Sequence, residues 1–182
     1  MITGSIGRRY ARALLDIARE QKKTDEVLAE LEAFQSVLSA SNDLNFVMTD
    51  PTFDPLERKK TLESIAGPLK LSPTTLQFLK LLIDRERMVN FPEVLVAYRE
   101  MADAYLGRVR VKVSLSETLP DASREKLERI LEKMTGKKVV LETVTRPDLL
   151  GGMVIQIQDL VFDGSVRSAL NRMKEKMMQV VV

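Results

Sequence analysis

Hydrophobic positions follow two different periods along the chain. From Ser5 to about Leu106 they recur every three to four residues, as on one face of a helix. From Arg108 onward, strand alternation is mixed with two helices. The change of period predicts two domains, residues 1–105 and residues 106–182.

The first domain is predicted to contain about six helices. Proline fits the first turn of a helix but not its interior, so prolines mark helix boundaries. The predicted boundaries lie at Asn42, Pro51, Pro55, Pro68, Pro73 and Pro92. Because the links between the helices are short, we expect a compact antiparallel six-helix bundle.

The second domain is predicted to be a smaller α/β domain with the order strand, helix, strand, strand, short strand, helix, which makes the whole chain an α+β protein. Residues 108–115 alternate polar, mostly basic, side chains with apolar ones, as expected of a strand with one buried face. A helix that starts near residues 118–121 would cover this face with Leu127, Ile130, Leu131 and Met134. The remaining strands are predicted at residues 139–144, 153–157 and 160–162. The last helix has an apolar side formed by Val166, Ala169, Leu170, Met173 and Met177.

Two predicted helices carry more apolar surface than a helix on the outside of a protein needs. The apolar positions cover roughly 200° of the first helix and roughly 220° of the fifth, whereas a surface helix needs about half of that. In the first helix they are Ile6, Tyr10, Ala11, Ala13, Leu14, Leu15, Ile17 and Ala18. Either both helices lie in the centre of the bundle, or their outward apolar edges form a groove for a partner helix. A bundle of this size has room for one central helix but hardly for two, which favours a groove with Ala11 and Ala18 on its floor.

The residue types present exclude much of enzyme chemistry. Cysteine and histidine are both absent, so the chain has no thiolate nucleophile, no disulfide, no Cys/His metal site and no Ser-His or Cys-His catalytic pair. The 26 acidic residues are scattered and form no recognisable catalytic or metal-binding spacing. We therefore expect a protein that is not an enzyme and that uses no metal and no cofactor.

The composition is that of an ordinary folded protein, with 45% apolar and 30% charged residues. No window of the sequence approaches the ~18 apolar residues of a membrane-spanning helix. The amino terminus shows neither a secretory signal nor a transit peptide. We expect a cytoplasmic chain that meets a membrane only through its partners.

A row of basic residues gives an alternative function. Arg108, Arg110 and Lys112 lie on one side of the first predicted strand, and Lys137 and Lys138 precede the second. Such a face could bind the backbone of an RNA, although a solvated sheet face gives the same pattern. The net charge is only +2, aromatic residues make up 5%, and neither the aromatic RNA-recognition pattern nor a Gly-x-x-Gly clamp is present. RNA binding is therefore the second choice.

Two short motifs near the carboxyl terminus specify backbone geometry. Gly151 and Gly152 precede an apolar strand pattern and allow backbone conformations that other residues avoid. Asp163, Gly164 and Ser165 provide a turn and a helix N-cap. The glycine pair lacks the Gly-Lys-Ser/Thr ending of a nucleotide-binding loop, so we assign it to a tight turn.

These motifs resemble the carboxyl-terminal signature of the delta subunit of F-type ATP synthases, whose mitochondrial counterpart is the oligomycin-sensitivity-conferring protein. A second resemblance lies near the amino terminus, where residues 7–14, Gly-Arg-Arg-Tyr-Ala-Arg-Ala-Leu, are similar to the family pattern Ala-Arg-x-Tyr-Ala-x-Ala. The chain departs from the family at Gly7 in place of Ala, at Arg146 in place of Asp, at Leu150 in place of Ile and at Gln158 in place of Gly.

The resemblance implies a non-catalytic stator subunit, present once per ATP synthase, that joins the catalytic head to the peripheral stalk. It would lie at the cytoplasmic face of the cell (inner) membrane and resist rotor torque, so that H+ or Na+ flux drives ATP synthesis. The resemblance also implies two partners. The helical bundle would bind the amino-terminal helices of alpha subunits, and the α/β domain would bind the carboxyl-terminal ends of the b subunits.

The family places the binding groove for the alpha subunit between the first and fifth helices. The groove residues are then Tyr10, Ala11, Leu14, Leu15, Ala18, Leu79, Leu82 and Ile83. For the stalk, we expect contacts from the last helix through Leu170, Met173 and Met177.

Overall fold

The computed structural model describes residues 5–117, 120–157 and 160–180. Over these residues the chain forms eight α-helices and four β-strands, which confirms the prediction of a mixed helix and sheet protein. The chain divides into two compact units, Met1–Ala102 and Asp103–Val182. Two positions discussed above, the predicted helix start at residues 118 and 119 and the family position Gln158, lie outside the described residues.

The first unit is helical. Its helices are α1 (Ser5–Glu20), α2 (Thr24–Ala40), α3 (Asn42–Thr49), α4 (Pro55–Ala66), α5 (Pro73–Asp84) and α6 (Phe91–Tyr105), the last of which continues into the second unit. Ser41, Asp54 and Ser72 cap α3, α4 and α5 by accepting hydrogen bonds from backbone N–H groups in the first turn of each helix. Pro55 and Pro73 stand at the start of α4 and α5, where the sequence predicted helix boundaries.

Apolar side chains from all six of these helices meet in one core. Phe34 of α2 and Phe91 of α6 contact edge to face, with ring centroids 5.2 Å apart, which is a favourable arrangement for aromatic pairs. Tyr98 is also buried, and its hydroxyl donates to the backbone carbonyl of Thr24 at 3.2 Å. Burial, assisted by nearby carboxylates, raises the pKa of Tyr98. The core therefore contains a polar group that is neutral and hydrogen-bonded.

The second unit combines a sheet with two helices. Its elements are β1 (Arg108–Leu115), α7 (Asp121–Thr135), β2 (Lys138–Thr145), β3 (Met153–Ile157), β4 (Leu160–Asp163) and α8 (Val166–Val180). The strands lie in the order β2-β1-β3-β4. β1 pairs in parallel with β2 and antiparallel with β3, and β3 pairs antiparallel with β4. α7 connects the two parallel strands, which need a crossover of this kind.

One face of the sheet carries the core of the second unit. The buried β1 residues are Val109, Val111, Val113 and Leu115. Their burial confirms the alternation predicted for this strand, although Ser114, on the other face, is buried as well. The predicted covering stripe on α7 is only partly correct, because Ile130 and Met134 are 47% and 65% exposed. The small sheet covers only the centre of that stripe, where Leu131 is buried and Leu127 is half-buried.

Candidate functional site

The structure places most of the predicted groove residues in the core of the first unit. Tyr10 is half-buried. The seven buried residues are Ala11, Leu14, Leu15, Ala18, Leu79, Leu82 and Ile83. These seven residues cannot line an open groove as predicted, because their side chains are buried in the core that all six helices share. A partner helix would have to contact other residues of α1 and α5.

α1 has an exposed apolar flank beside its buried face. Ile6, Tyr10, Ala13 and Ile17 are spaced i, i+4, i+7 and i+11, so they share one side of the helix. Ile17 is 45% exposed and Ala13 is exposed, while Ile6 and Tyr10 are half-buried. This flank is part of the wide apolar arc that the sequence showed, and it is the part that the core leaves uncovered.

α5 also carries an exposed leucine, and a hydrogen bond joins the start of this helix to the end of α1. Thr74 Oγ1 donates to Gln21 Oε1 at 3.0 Å and so joins the start of α5 to the residue after α1. Ile17 lies one helical turn before Gln21, so the two residues point to the same side of α1. Leu81 lies two turns after Thr74, so these two residues point to the same side of α5. Leu81 is 42% exposed. We call the surface formed by Ile6, Tyr10, Ala13, Ile17 and Leu81 the α1/α5 strip.

The second unit has an apolar surface on α8 and β4. The predicted stalk residues Leu170, Met173 and Met177 are 54%, 62% and 66% exposed, and Val166 continues the same side of α8. β4 is an edge strand whose residues Leu160, Val161 and Phe162 are exposed as well. Exposed apolar residues at several neighbouring positions are typical of surfaces that contact a partner.

The two glycine-containing motifs meet at the start of α8. Gly164 N donates to the carbonyl of Met153 at 3.0 Å, and Val166 N donates to the carbonyl of Gly151 at 3.1 Å. Gly152 has φ of +77°, a conformation that favours glycine. A Cβ atom on Gly152 would lie 2.4 Å from the carbonyl oxygen of Gly164. The glycine pair therefore lets two backbone segments approach closely and positions the first turn of α8.

Asp163 holds the amino-terminal end of α8. Its Oδ1 accepts from Ser165 N at 2.9 Å and its Oδ2 accepts from Ser168 Oγ at 2.7 Å. Ser165 Oγ in turn accepts from Ser168 N at 3.2 Å, in the manner of an N-cap. These hydrogen bonds favour the charged carboxylate and lower the pKa of Asp163 to about 2.

Replacing Asp163 with Asn is expected to destabilise the second unit at neutral pH and to have a smaller effect in acid. The folded-state pKa of Asp163 lies below its ordinary value, so its charged form stabilises the fold at any pH above that ordinary value. This stabilisation is lost as the pH falls from about 4 towards about 2. Urea denaturation of both proteins at pH 7, 4 and 2.5 measures the effect. A difference in stability that is independent of pH would contradict this role of the charge.

The basic row on β1 is largely neutralised by acidic side chains of the second unit. Arg108 Nε lies 2.6 Å from Asp103 Oδ1, and Arg110 Nε lies 2.5 Å from Asp103 Oδ2. Arg110 also pairs with Glu142 at 3.0 Å. Two of the three arginine and lysine side chains of this row are therefore engaged within the protein, which leaves little free charge for a phosphate backbone. Lys112 is exposed.

The described residues offer apolar contact surfaces rather than a cluster of reactive groups. Within residues 5–117, 120–157 and 160–180, no three acidic side chains converge so that they could hold a metal ion. Each of the two compact units has its own exposed apolar surface.

Comparison with known proteins identifies the family. The family model described as ATP synthase delta (OSCP) subunit matches residues 6–177, and the chain belongs to this family. It is 38% identical over 181 residues to the ATP synthase subunit delta of Myxococcus xanthus, which covers 98% of this chain and 100% of the relative. The ATP synthase subunit delta of Syntrophus aciditrophicus is 34% identical over the whole length of both chains.

A solved structure has the same fold. A chain in the cryo-EM structure of the Toxoplasma gondii mitochondrial ATP synthase hexamer superimposes with a TM-score of 0.65 at 19% identity. The match covers 96% of this chain and 98% of that chain. At 19% identity this match is evidence for the fold alone, and its coverage includes both units of the chain.

Membership of this family confirms the prediction that the chain is a subunit of an ATP synthase. The chain is a non-catalytic stator subunit of an ATP synthase, and it is a peripheral part of that membrane-associated complex. Among the described helices, none is long and apolar enough to cross a membrane. The RNA-binding alternative finds no support in the relatives or in the ion-paired β1 face.

Proposed function

We propose that the first unit is a six-helix bundle that binds the amino-terminal helix of an alpha subunit on the α1/α5 strip. The observation that carries this proposal is the exposure of Ile17, Ala13 and Leu81 beside a core that is already complete. An amphipathic helix recognises a surface of this kind with apolar residues at i, i+3, i+4 and i+7. Of the residues first assigned to the groove, Tyr10 is retained, and Ile17 and Leu81 take the place of the buried ones.

The second unit is proposed to bind the carboxyl-terminal ends of the b subunits. The apolar side of α8, with Leu170, Met173 and Met177, supports this assignment because it is exposed over about two helical turns. Methionine side chains are flexible and adapt to the surface of a partner helix. The exposed edge strand β4 gives a second apolar area next to α8 in the chain.

These two contacts would make the chain a connection between the catalytic head and the peripheral stalk. One copy per complex, at the cytoplasmic face of the cell (inner) membrane, would stop the head from turning with the rotor. H+ or Na+ flux through the membrane part would then drive ATP synthesis. The contribution of the chain would be tight and slowly dissociating contacts.

Reconstitution with two variants tests this division of labour. Membranes stripped of peripheral subunits are combined with purified catalytic head and with wild type, Ile17→Asp or Met173→Asp, and bound head and ATP-driven ion pumping are measured. We expect Ile17→Asp to weaken binding to the head about 30-fold, because the carboxylate loses its hydration without gaining a partner. It should keep binding to the stripped membranes, whereas Met173→Asp should do the reverse.

Each variant serves as the control for the other, and circular dichroism checks that both are folded. If Ile17→Asp binds the head as wild type does, the α1/α5 strip is not the contact. If the head rebinds and pumps equally well without any added chain, the proposed connection between head and stalk is wrong.

A further inference from the structure

The apolar face of the sheet in the second unit is covered over only part of its width. Residues paired across neighbouring strands share a face of the sheet. Two rows of such residues cross the buried face, Val111-Ile157-Leu160 and Val113-Ile155-Phe162. The β1 residues of both rows are buried and the β3 residues are half-buried, whereas Leu160 and Phe162 on β4 are 64% and 48% exposed. The cover of this face therefore ends before β4.

Two polar contacts show where α7 lies on the sheet. Arg124 Nη2 lies 3.5 Å from the carbonyl oxygen of Leu141. Glu132 Oε1 lies 3.5 Å from the backbone nitrogen of Val139. Both backbone groups belong to β2, which forms one edge of the sheet. The side of α7 that carries Arg124 and Glu132 is therefore the side next to the β2 edge.

The exposed apolar residues of α7 lie on its other side. Leu127 and Leu131 pack against the core of the unit. At about 100° per residue, Ile130 and Met134 follow on the side of these leucines that points away from β2 and towards β3 and β4. They are 47% and 65% exposed. We call the surface that has these two residues as its wall and β3 and β4 as its floor the β4 trough; it is formed by Ile130, Met134, Ile155, Ile157, Leu160 and Phe162.

The β4 trough has the dimensions of one α-helix. Neighbouring strands lie about 4.8 Å apart, so β3 and β4 give a floor about 10 Å wide, and a helix with its side chains is about 10 Å in diameter. The five residues of β3 make the floor about 16 Å long, which is about three helical turns. A sheet buries its apolar face against a second layer. The described part of the second unit thus has room for one more helix beside α7.

The charges beside the trough disfavour a second copy of this chain as its occupant. The helix with a free apolar side in such a copy is α8, which has Arg167 and Lys174 along one edge of that side and Arg172 along the other. On α7, Lys126 and Lys133 lie next to the exposed apolar residues, on their solvent side. Either orientation of a second α8 would bring basic residues next to these lysines, and like charges in an interface repel.

We propose that one carboxyl-terminal helix of a b subunit lies in the β4 trough beside α7 and completes the helix layer of the second unit. The inference rests on the proposed binding of the second unit to the b subunits and gives that contact a second place besides α8. β4 leads into α8, so the trough and the apolar side of α8 belong to neighbouring segments. The bound helix has an apolar face of about three turns and no basic edge towards Lys126 and Lys133.

The absence of cysteine from the sequence allows a direct test by thiol protection. The variants Ile130→Cys and Leu160→Cys each place one thiol in the trough. Val144→Cys is the control, because Val144 pairs with Ser114 on the other face of the sheet and is 38% exposed. Each variant is alkylated with a maleimide, free and bound to membranes stripped of peripheral subunits, and the modified chain is measured by mass spectrometry. We expect binding to slow alkylation about tenfold in the two trough variants and about twofold or less in the control.

Affinity and cross-linking measurements identify the occupant. Ile130→Asp should bind the stripped membranes about tenfold more weakly than wild type does, because its carboxylate would lose hydration under the bound helix. Val144→Asp makes the same change of charge and should bind like wild type. Circular dichroism checks that both variants are folded. A benzophenone maleimide on the Met134→Cys variant should form its photo-adduct with the carboxyl-terminal part of a b subunit.

The outcomes separate this inference from the proposed function. If Met173→Cys is protected on the membranes while the two trough variants are not, α8 is the contact and the trough proposal is wrong. If the wild-type chain does not bind the stripped membranes, both proposals fail. If the trough thiols of the free chain become protected as its concentration rises, a second copy fills the trough and the inference is wrong. A photo-adduct with any subunit other than b also overturns it.

Discussion

Replacing Ala11 with Asp is expected to unfold the first unit. Ala11 has no exposed surface and lies in the core that all six helices form. An aspartate there would lose its hydration without a hydrogen-bond donor or a cation to compensate, which costs several kcal/mol, on the order of 3–5. That cost approaches the total stability of a typical domain, about 5–15 kcal/mol. Helical circular dichroism and urea denaturation measure the loss.

Ala13→Asp provides the matched control for this prediction. It makes the same substitution two residues further along the same helix, where the side chain is exposed. We expect a change in stability of about 0.5 kcal/mol, since aspartate is only a poorer helix former than alanine at an exposed position. If Ala11→Asp were as stable as Ala13→Asp and had lost only the binding of the head, Ala11 would line a groove after all, and its assignment to the core would be wrong.

The contrast between these two alanines shows what the sequence could predict about the site. Helical spacing identified every apolar position of α1, because spacing depends only on the geometry of one helix. It could not separate Leu14, which is buried, from Ile17, which is exposed, because that difference depends on where α2, α5 and α6 pack. The sequence therefore predicted the apolar arc of α1 correctly. Which of its residues are buried and which are exposed could be read only from the tertiary structure.

Helix boundaries were easier to predict because their signals are local. Pro55 and Pro73 stand at helix starts, and Ser72 caps α5 through a hydrogen bond within the same turn. Contacts between residues that are far apart in sequence leave no local pattern from which they could be predicted. The pairing of Arg110 with Glu142 joins residues far apart in sequence, so the β1 row looked like free positive charge until the fold was known.

The two carboxyl-terminal motifs also combine a local signal with a contact between distant residues. Sequence placed a turn at Gly151 and Gly152 and another at Asp163 to Ser165, on the basis of residue type alone. The structure brings the two segments into contact, because β3 and β4 pair antiparallel and the start of β3 therefore lies beside the end of β4. The strict requirement for glycine at position 152 comes from this contact, which neither segment reveals by itself.

Gly152→Ala is accordingly expected to destabilise the second unit strongly. The positive φ of Gly152 alone costs an L-residue roughly 1–2 kcal/mol. The added Cβ would also lie 2.4 Å from the carbonyl oxygen of Gly164 and 3.0 Å from the Cα of Ser165, so the backbone at the start of α8 must move. We expect a total loss of about 3 kcal/mol or more, measured by urea denaturation of the full chain.

Gly136→Ala separates the two causes of this loss. Gly136 has a similar positive φ of +66°, but no atom lies within 4 Å of an added Cβ. Its replacement should therefore cost only the conformational part, roughly 1–2 kcal/mol. Because the start of α8 positions Leu170 and Met173, Gly152→Ala should also weaken binding to the stripped membranes, while Gly136→Ala should not. Equal losses of stability in the two variants would show that the close approach to Gly164 is not what requires glycine at position 152.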